Sequence, residues 1–168
     1  VINHKTIQKL MNNLGLKGKQ RKNDKYHSYK GTVGKVADNL LKRDFYAEKP
    51  FEKITTDVTQ FNVCDEKVYL SPVLDLFNNE IVSYSISTSP NLEQVREMLN
   101  GLFAKLPADA TPIFHSDQGW QYQHAEYQRL LTEHNIIQSM SRKGNCMDNG
   151  AMENFFGRLK VEMFYGEK

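Results

Sequence analysis

Apolar positions near the start of the chain recur at Ile7, Leu10, Met11 and Leu14, the spacing of one helical face, and Gly15 follows as a C-terminal stop. From Lys53 the period changes. "KITTDVTQFNV", "KVYLSPVLDLF" and "EIVSYSIST" are rich in β-branched and aromatic residues, with Asn78-Asn79 as a tight turn between the last two. They predict a three-stranded antiparallel meander, in which Pro72 implies a bulge or an edge position. Helical spacing returns in "NLEQVREMLNGLFAKL", whose Leu92, Val95, Leu99, Leu102, Phe103 and Leu106 form a stripe interrupted by Gly101. "TPIFHSD" reads as a short buried strand, "QHAEYQRLLTEHN" as a helix and "IIQSMS" as a fifth strand; a last helix runs from Ala151 to Tyr165. A weaker helical pattern covers "KVADNLLKRDF", with Pro50 as a boundary. The order βββαβαβα gives an α/β fold with a five-stranded mixed sheet. Its right-handed helical crossovers lay the later strands parallel to their neighbours.

Composition adds a division. The 168 residues suit one domain with a core and a small extension. No apolar run approaches the roughly 18 residues of a membrane span, and no signal-peptide core stands at the start, so the expectation is a cytoplasmic protein without membrane contact. Cys64 and Cys146 form no Cys-x-x-Cys pattern and are read as reduced, with neither a disulfide nor a zinc site. The net charge of +2 conceals two halves: residues 1–50 hold twelve Lys and Arg against four Asp and Glu, and residues 51–168 hold ten against sixteen. The expected organisation is therefore a basic N-terminal arm, 1–50, and a core, 51–168. The arm's "KGKQRKNDKYHSYKGTVGK", with Tyr26 and Tyr29, is either a nucleic-acid-binding segment that folds on its partner or a solvated linker.

Three acids interrupt the patterns around them. Asp57 falls inside the first strand, where Asp is disfavoured; Asp117 ends the fourth; Glu153 opens the last helix beside Met152, Phe155, Phe156, Leu159 and Met163. Each has a plainer reading, as a solvent-facing strand residue, a turn initiator and a favourable charge at a helix N-terminus respectively. If the fourth strand pairs with the first, the carboxylates meet. They then repel one another unless cations hold them ionised, and hard divalent ions such as Mg²⁺ do so through oxygen ligands. Two such ions about 4 Å apart suit phosphoryl transfer.

"TTDVTQF", "HSDQGWQY" and "SRKGNCMDNGAMENFFGRLK" resemble the signature blocks of bacterial insertion-sequence transposases with a retroviral-integrase-like catalytic core. The thirty-five residues between Asp117 and Glu153 match that family's interval. The resemblance implies a ribonuclease-H-like fold and an Asp-Asp-Glu enzyme that cleaves and transfers DNA strands. Asp57, Asp117 and Glu153 would be its catalytic metal ligands for two Mg²⁺ or Mn²⁺ ions, with Asp57 bridging them. It also implies DNA partners, both element ends and target, a homo-oligomer in the active complex, and a place in the bacterial cytoplasm at the nucleoid. The chain starts without Met and stops just past the catalytic helix, so it is expected to be a catalytic fragment. The alternatives are an inactive DNA-binding fragment and a structure-specific ribonuclease-H-like nuclease.

Further residues are candidates for DNA contact. Lys160 follows Glu153 by seven residues, two helical turns on the same face, and Asn149 extends that face. Arg142 and Lys143, in a loop loosened by Gly144, suit phosphate or plain solvation. Gln118, Trp120 and Tyr122 follow Asp117; the two aromatic residues either stack on an unpaired base or pack under the turn. Asp148 or Asn149 could cap the last helix, and His115 either orients Asp117 by a hydrogen bond or is structural, and is not assigned as a metal ligand.

Overall fold

The alternating segments form one mixed sheet in the computed structural model, which describes residues 3–16 and 34–164. The basic stretch carrying Tyr26 and Tyr29 lies outside the described residues. The strands are β1 (Lys53–Thr56), β2 (Thr59–Val63), β3 (Glu66–Asp75), β4 (Ile81–Ser87), β5 (Ile113–Ser116) and β6 (Ile137–Met140). The helices are α1 (His4–Asn13), α2 (Leu92–Phe103), α3 (Trp120–Gln123), α4 (Ala125–Glu133) and α5 (Gly150–Leu159). Strand β3 pairs antiparallel with β1, β2 and β4, whereas β1–β5 and β5–β6 are parallel.

Six strands stand where five are predicted, because the first is two. Thr56 pairs with Val73 and Thr59 with Leu70, one unbroken register, which puts Asp57 across from Pro72. Proline has no N–H to give, so the ladder lapses there. The Thr56 hydroxyl donates to the Pro72 carbonyl at 2.8 Å instead. Pro72 thus lies in a strand paired on both sides, not at an edge, while the irregularity in the β3–β4 pairing falls next to it, between Val73 and Leu74.

Helix α2 is capped by Asn91, whose side chain accepts from the Gln94 N–H at 3.0 Å, a device worth about 1 kcal/mol. It buries Val95, Met98, Leu99 and Leu102 against Ile54, Val73, Val82 and Phe114 in a core that also takes in Tyr122, Tyr127, Leu131 and Met140. Gly101 is what lets it sit close: a Cβ there would stand 2.4 Å from Ser83 Oγ but 3.5 Å from Ser83 Cβ. Gly101→Ala should therefore destabilise by about 1–3 kcal/mol despite alanine's better helix propensity. In a Ser83→Ala background the same change should become neutral or stabilising, as thermal or denaturant midpoints of the four proteins would read.

Residues 35–45 are not helical. The Ala37 N–H donates to Met140 Sδ, the Leu40 N–H to Ser139 Oγ, and Asp38 O accepts from the Met140 N–H at 3.2 Å, so β6 takes the bonds a helix would have used. The last helix begins after a 3₁₀ turn at Cys146–Asn149 and passes into a π-helical stretch at Lys160–Phe164. By its contacts the chain divides into two units, His27–Phe156 and Val1–Tyr26 with Gly157–Lys168. In the second, α1 carries an Asn3 cap and leaves Ile7, Leu10 and Leu14 exposed. No helix among the described residues is long and apolar enough to cross a membrane.

Candidate active site

Parallel pairing of β1 with β5 sets the site's frame. Ile54 lies level with Phe114 and Thr55 with His115. Phe114 and Ile54 enter the apolar core, so the alternate residues face the other way. Continued by two residues, the same register aligns Asp57 with Asp117 just beyond the ends of the two central strands.

The two aspartates differ in how they are held. Asp57 Oδ1 accepts from the Val58 N–H at 2.7 Å. Asp117 Oδ1 accepts from the Gly119 N–H at 2.8 Å, and a Cβ on Gly119 would stand 2.9 Å from that oxygen. Burial raises the Asp117 carboxyl above its usual range, against the lowering effect of that one N–H. The phenol of Tyr122 is pushed well above its ordinary value by burial first, then by the charges of Asp57 and Asp117. Its hydroxyl is fully buried and makes no hydrogen bond of ordinary geometry, as is also true of Tyr127. Burial desolvates Asp117, and both carboxylates lie near enough to the Tyr122 phenol to act on it; such carboxylate oxygens are hard donors of the kind a divalent ion takes. Glu153 stands exposed in the first turn of α5. Among the described residues no three His, Cys, Asp or Glu side chains lie close enough to share an ion. Asp57, Asp117 and Glu153 do not form such a group.

Behind this pair runs a polar row across three strands. Thr55, His115 and Ser139 are in register, and the start of α5 is tied to the row: Thr55 Oγ1 lies 2.9 Å from Asn149 Oδ1 and 3.1 Å from His115 O. The His115 ring is fully buried between Ser139 Oγ at 2.8 Å and Ser141 Oγ at 3.1 Å, one nitrogen donating and the other accepting. Burial lowers its pKa to about 4, with Asp148 pulling the other way. Of the two readings of this residue the structural one holds, since both ring nitrogens are committed to serines and neither to Asp117.

Several predicted DNA contacts have structural employment. Asn149 is buried and bonded to Thr55, which takes it off the surface of the helix face. Neither it nor Asp148 caps α5. Arg142 grips Asp148 through Nε and Nη2 at 2.9 and 3.0 Å. Gln118 Nε2 donates to Ser141 O at 3.0 Å, closing the turn after β5 onto the strand end beside it. Tyr122 is fully buried and packs edge-on against Tyr127, with ring centroids 5.4 Å apart. Trp120 is half-buried and Lys143 exposed. Lys160 opens the π-helical stretch that follows α5. The sequence reading missed Arg43, whose guanidinium reaches Asp148 across 105 residues; no local pattern announces such a pair.

Comparison with known proteins agrees with this architecture. The Integrase core domain pattern matches residues 47–146, a span that includes Asp57 and Asp117. The chain is 58% identical over 167 residues to a transposase-like protein of Haemophilus influenzae, covering 99% of this chain and 76% of that one. It is 56% identical over 164 residues to the putative transposase InsK for insertion sequence element IS150 of Escherichia coli, covering 98% of this chain but 58% of the relative. Among solved structures it resembles a chain of the simian T-cell lymphotropic virus intasome, with TM-score 0.60, 21% identity, and 84% of this chain and 46% of that one covered. The HTLV-2 integrase catalytic core domain, in complex with magnesium, superposes with TM-score 0.53 and 20% identity over 67% of this chain and 68% of that one. These likenesses establish the ribonuclease-H-like fold.

Proposed function

Because the chain belongs to the integrase core domain family, we propose that this transposase catalytic domain cleaves DNA strands at element ends and joins them to target DNA. Asp57, Asp117 and Glu153 would hold two Mg²⁺ or Mn²⁺ ions. When bound, such ions supply Lewis-acid stabilisation to the attacked phosphate and to the leaving oxygen. The observation that carries the reading is the parallel pairing of β1 with β5, whose register, continued by two residues, would level Asp57 with Asp117.

What the chain's own residues contribute can be stated from their surroundings. The Gly119 N–H fixes one Asp117 oxygen and with it the orientation of the carboxylate. The tyrosines nearest the acids are fully buried, so neither offers a hydroxyl for attack on DNA. That favours direct attack by water at the first phosphodiester and by the freed 3′-hydroxyl at the second, with no covalent protein–DNA intermediate. Closure of the first turn of α5 toward the aspartates would bring in Glu153. Lys160 and Lys143 would contact the DNA backbone, and the exposed part of Trp120 would stack on an unpaired base. The basic arm, residues 1–50, would supply salt-dependent affinity, and the active complex would be a homo-oligomer on paired ends at the bacterial nucleoid.

The test is a strand-transfer assay on labelled element-end DNA with Mg²⁺, Mn²⁺ or chelator. Nicked and joined products that require metal are expected. DNA binding without any metal-dependent product would reduce the chain to a binding module, and cutting of RNA–DNA hybrids without joining would make it a nuclease.

A further inference from the structure

Asp148 is the most heavily bonded side chain near the proposed site. It is 0% exposed, yet both flanking guanidiniums are partly in solvent, Arg43 at 41% and Arg142 at 61%. Its Oδ1 accepts from Arg43 Nε at 2.9 Å and Arg142 Nη2 at 3.0 Å. Its Oδ2 accepts from Asn39 Nδ2 and Arg142 Nε, both at 2.9 Å, and from the Arg142 N–H at 3.1 Å. Arg43 also donates from Nη2 to Asn145 Oδ1 at 3.0 Å, so one residue holds the loop at two points.

The segment that presents Arg43 is itself held. Leu41 is buried, the Lys42 N–H donates to Asn39 Oδ1 at 2.8 Å, and the Asp44 N–H donates to Leu41 O at 2.8 Å. Lys42 and Arg43 are both left-handed, with φ of 49° and 68°. Two successive non-glycine residues in that region are disfavoured, and such a conformation persists only where its surroundings over-determine it. Here the turn aims Arg43 at the loop. From Asp148 the chain needs only five residues to reach Glu153, and the intervening Asn149 is bonded to Thr55, two residues before Asp57.

We propose that Arg43, acting with Arg142 through Asp148, is a positioning residue for Glu153: the clamp fixes the loop before α5 and thereby where the helix's first turn stands relative to the aspartates. This rests on the transposase reading for its catalytic meaning, although the clamp itself is a matter of geometry. It gives the segment before the core a second duty besides linking the arm, since residues 35–44 brace the loop from outside the sheet.

Arg43→Ala in the full chain tests this through hydrogen exchange and Mn²⁺ titration, with Arg129→Ala as control because Arg129 makes only a surface pair with Glu133 on α4. Exchange across residues 142–153 should quicken about tenfold or more, the loss expected for a charge-assisted bond. The Mn²⁺ concentration for half-saturation should rise about 10- to 100-fold, as for a group that supports a metal ligand. Arg43→Lys should fall between, because an ammonium cannot span Asp148 and Asn145 as the planar fork does. Arg43→Gln replaces alanine if that variant does not fold. Unchanged exchange across 142–153, or a metal midpoint that moves no more than in Arg129→Ala, would overturn the proposal. If the unmutated chain neither binds Mn²⁺ nor cleaves DNA, the transposase reading falls, and the exchange data still decide whether the clamp exists.

Discussion

Asp117→Asn should cut metal-dependent strand cleavage by about a thousandfold or more and leave the fold at least as stable. Loss of a metal-ligating carboxylate removes several kcal/mol of charge stabilisation where the phosphate reacts, and about 4 kcal/mol corresponds to that factor. The stability arm follows from the raised pKa. A carboxyl driven up by burial opposes folding whenever it must be ionised, and asparagine removes the charge while its Oδ1 still accepts from the Gly119 N–H. Cleavage measured beside a denaturant midpoint checks both. Turnover comparable to the unmutated chain would remove Asp117 from the chemistry; lost turnover with a collapsed midpoint would make it structural.

The second large effect is one of pH. His115 titrates near 6.5 in an unfolded chain, and burial brings it to about 4 in the fold. Above about pH 6.5 both states are neutral and this residue adds no pH dependence. As pH falls from there toward 4, the unfolded chain takes up a proton that the folded one refuses, and stability drops by about 1.4 kcal/mol per pH unit. Below 4 both are protonated and the decline on this account ends. Asp148 does not confuse the window: hydrogen bonds from Arg142 and Arg43 hold its carboxyl well below the usual range, so its contribution fades only below about pH 4. Urea midpoints at several pH values should fall more steeply from pH 6.5 toward 4 in the unmutated chain than in His115→Gln, the raised Asp117 carboxyl contributing an opposite slope to both. A slope unchanged by the substitution would place its origin elsewhere.

Elements whose cause is local were legible in the sequence, and those caused from across the fold were not. The α2 stripe, the strand ending at Asp117 and the order of elements follow from periodicity. The break at Asp57 does not, because its cause, Pro72, sits on another strand fifteen residues away. "KVADNLLKRDF" read as a weak helix, yet β6 captures that backbone. Asp57 and Asp117 stood out as acids that interrupt the patterns around them, and the β1–β5 register, continued by two residues, puts their positions level. Arg142 and Asn149 looked free because their partners, Asp148 and Thr55, are identified only by folding. Nothing in the sequence tells a lysine or arginine awaiting phosphate from one already occupied by a buried carboxylate.

The lapse in pairing at Pro72 has a mechanical meaning. A strand that keeps its register on either side of a gap is anchored from both ends, so Asp57 sits on a two-residue link whose position is set by the ladders before and after it.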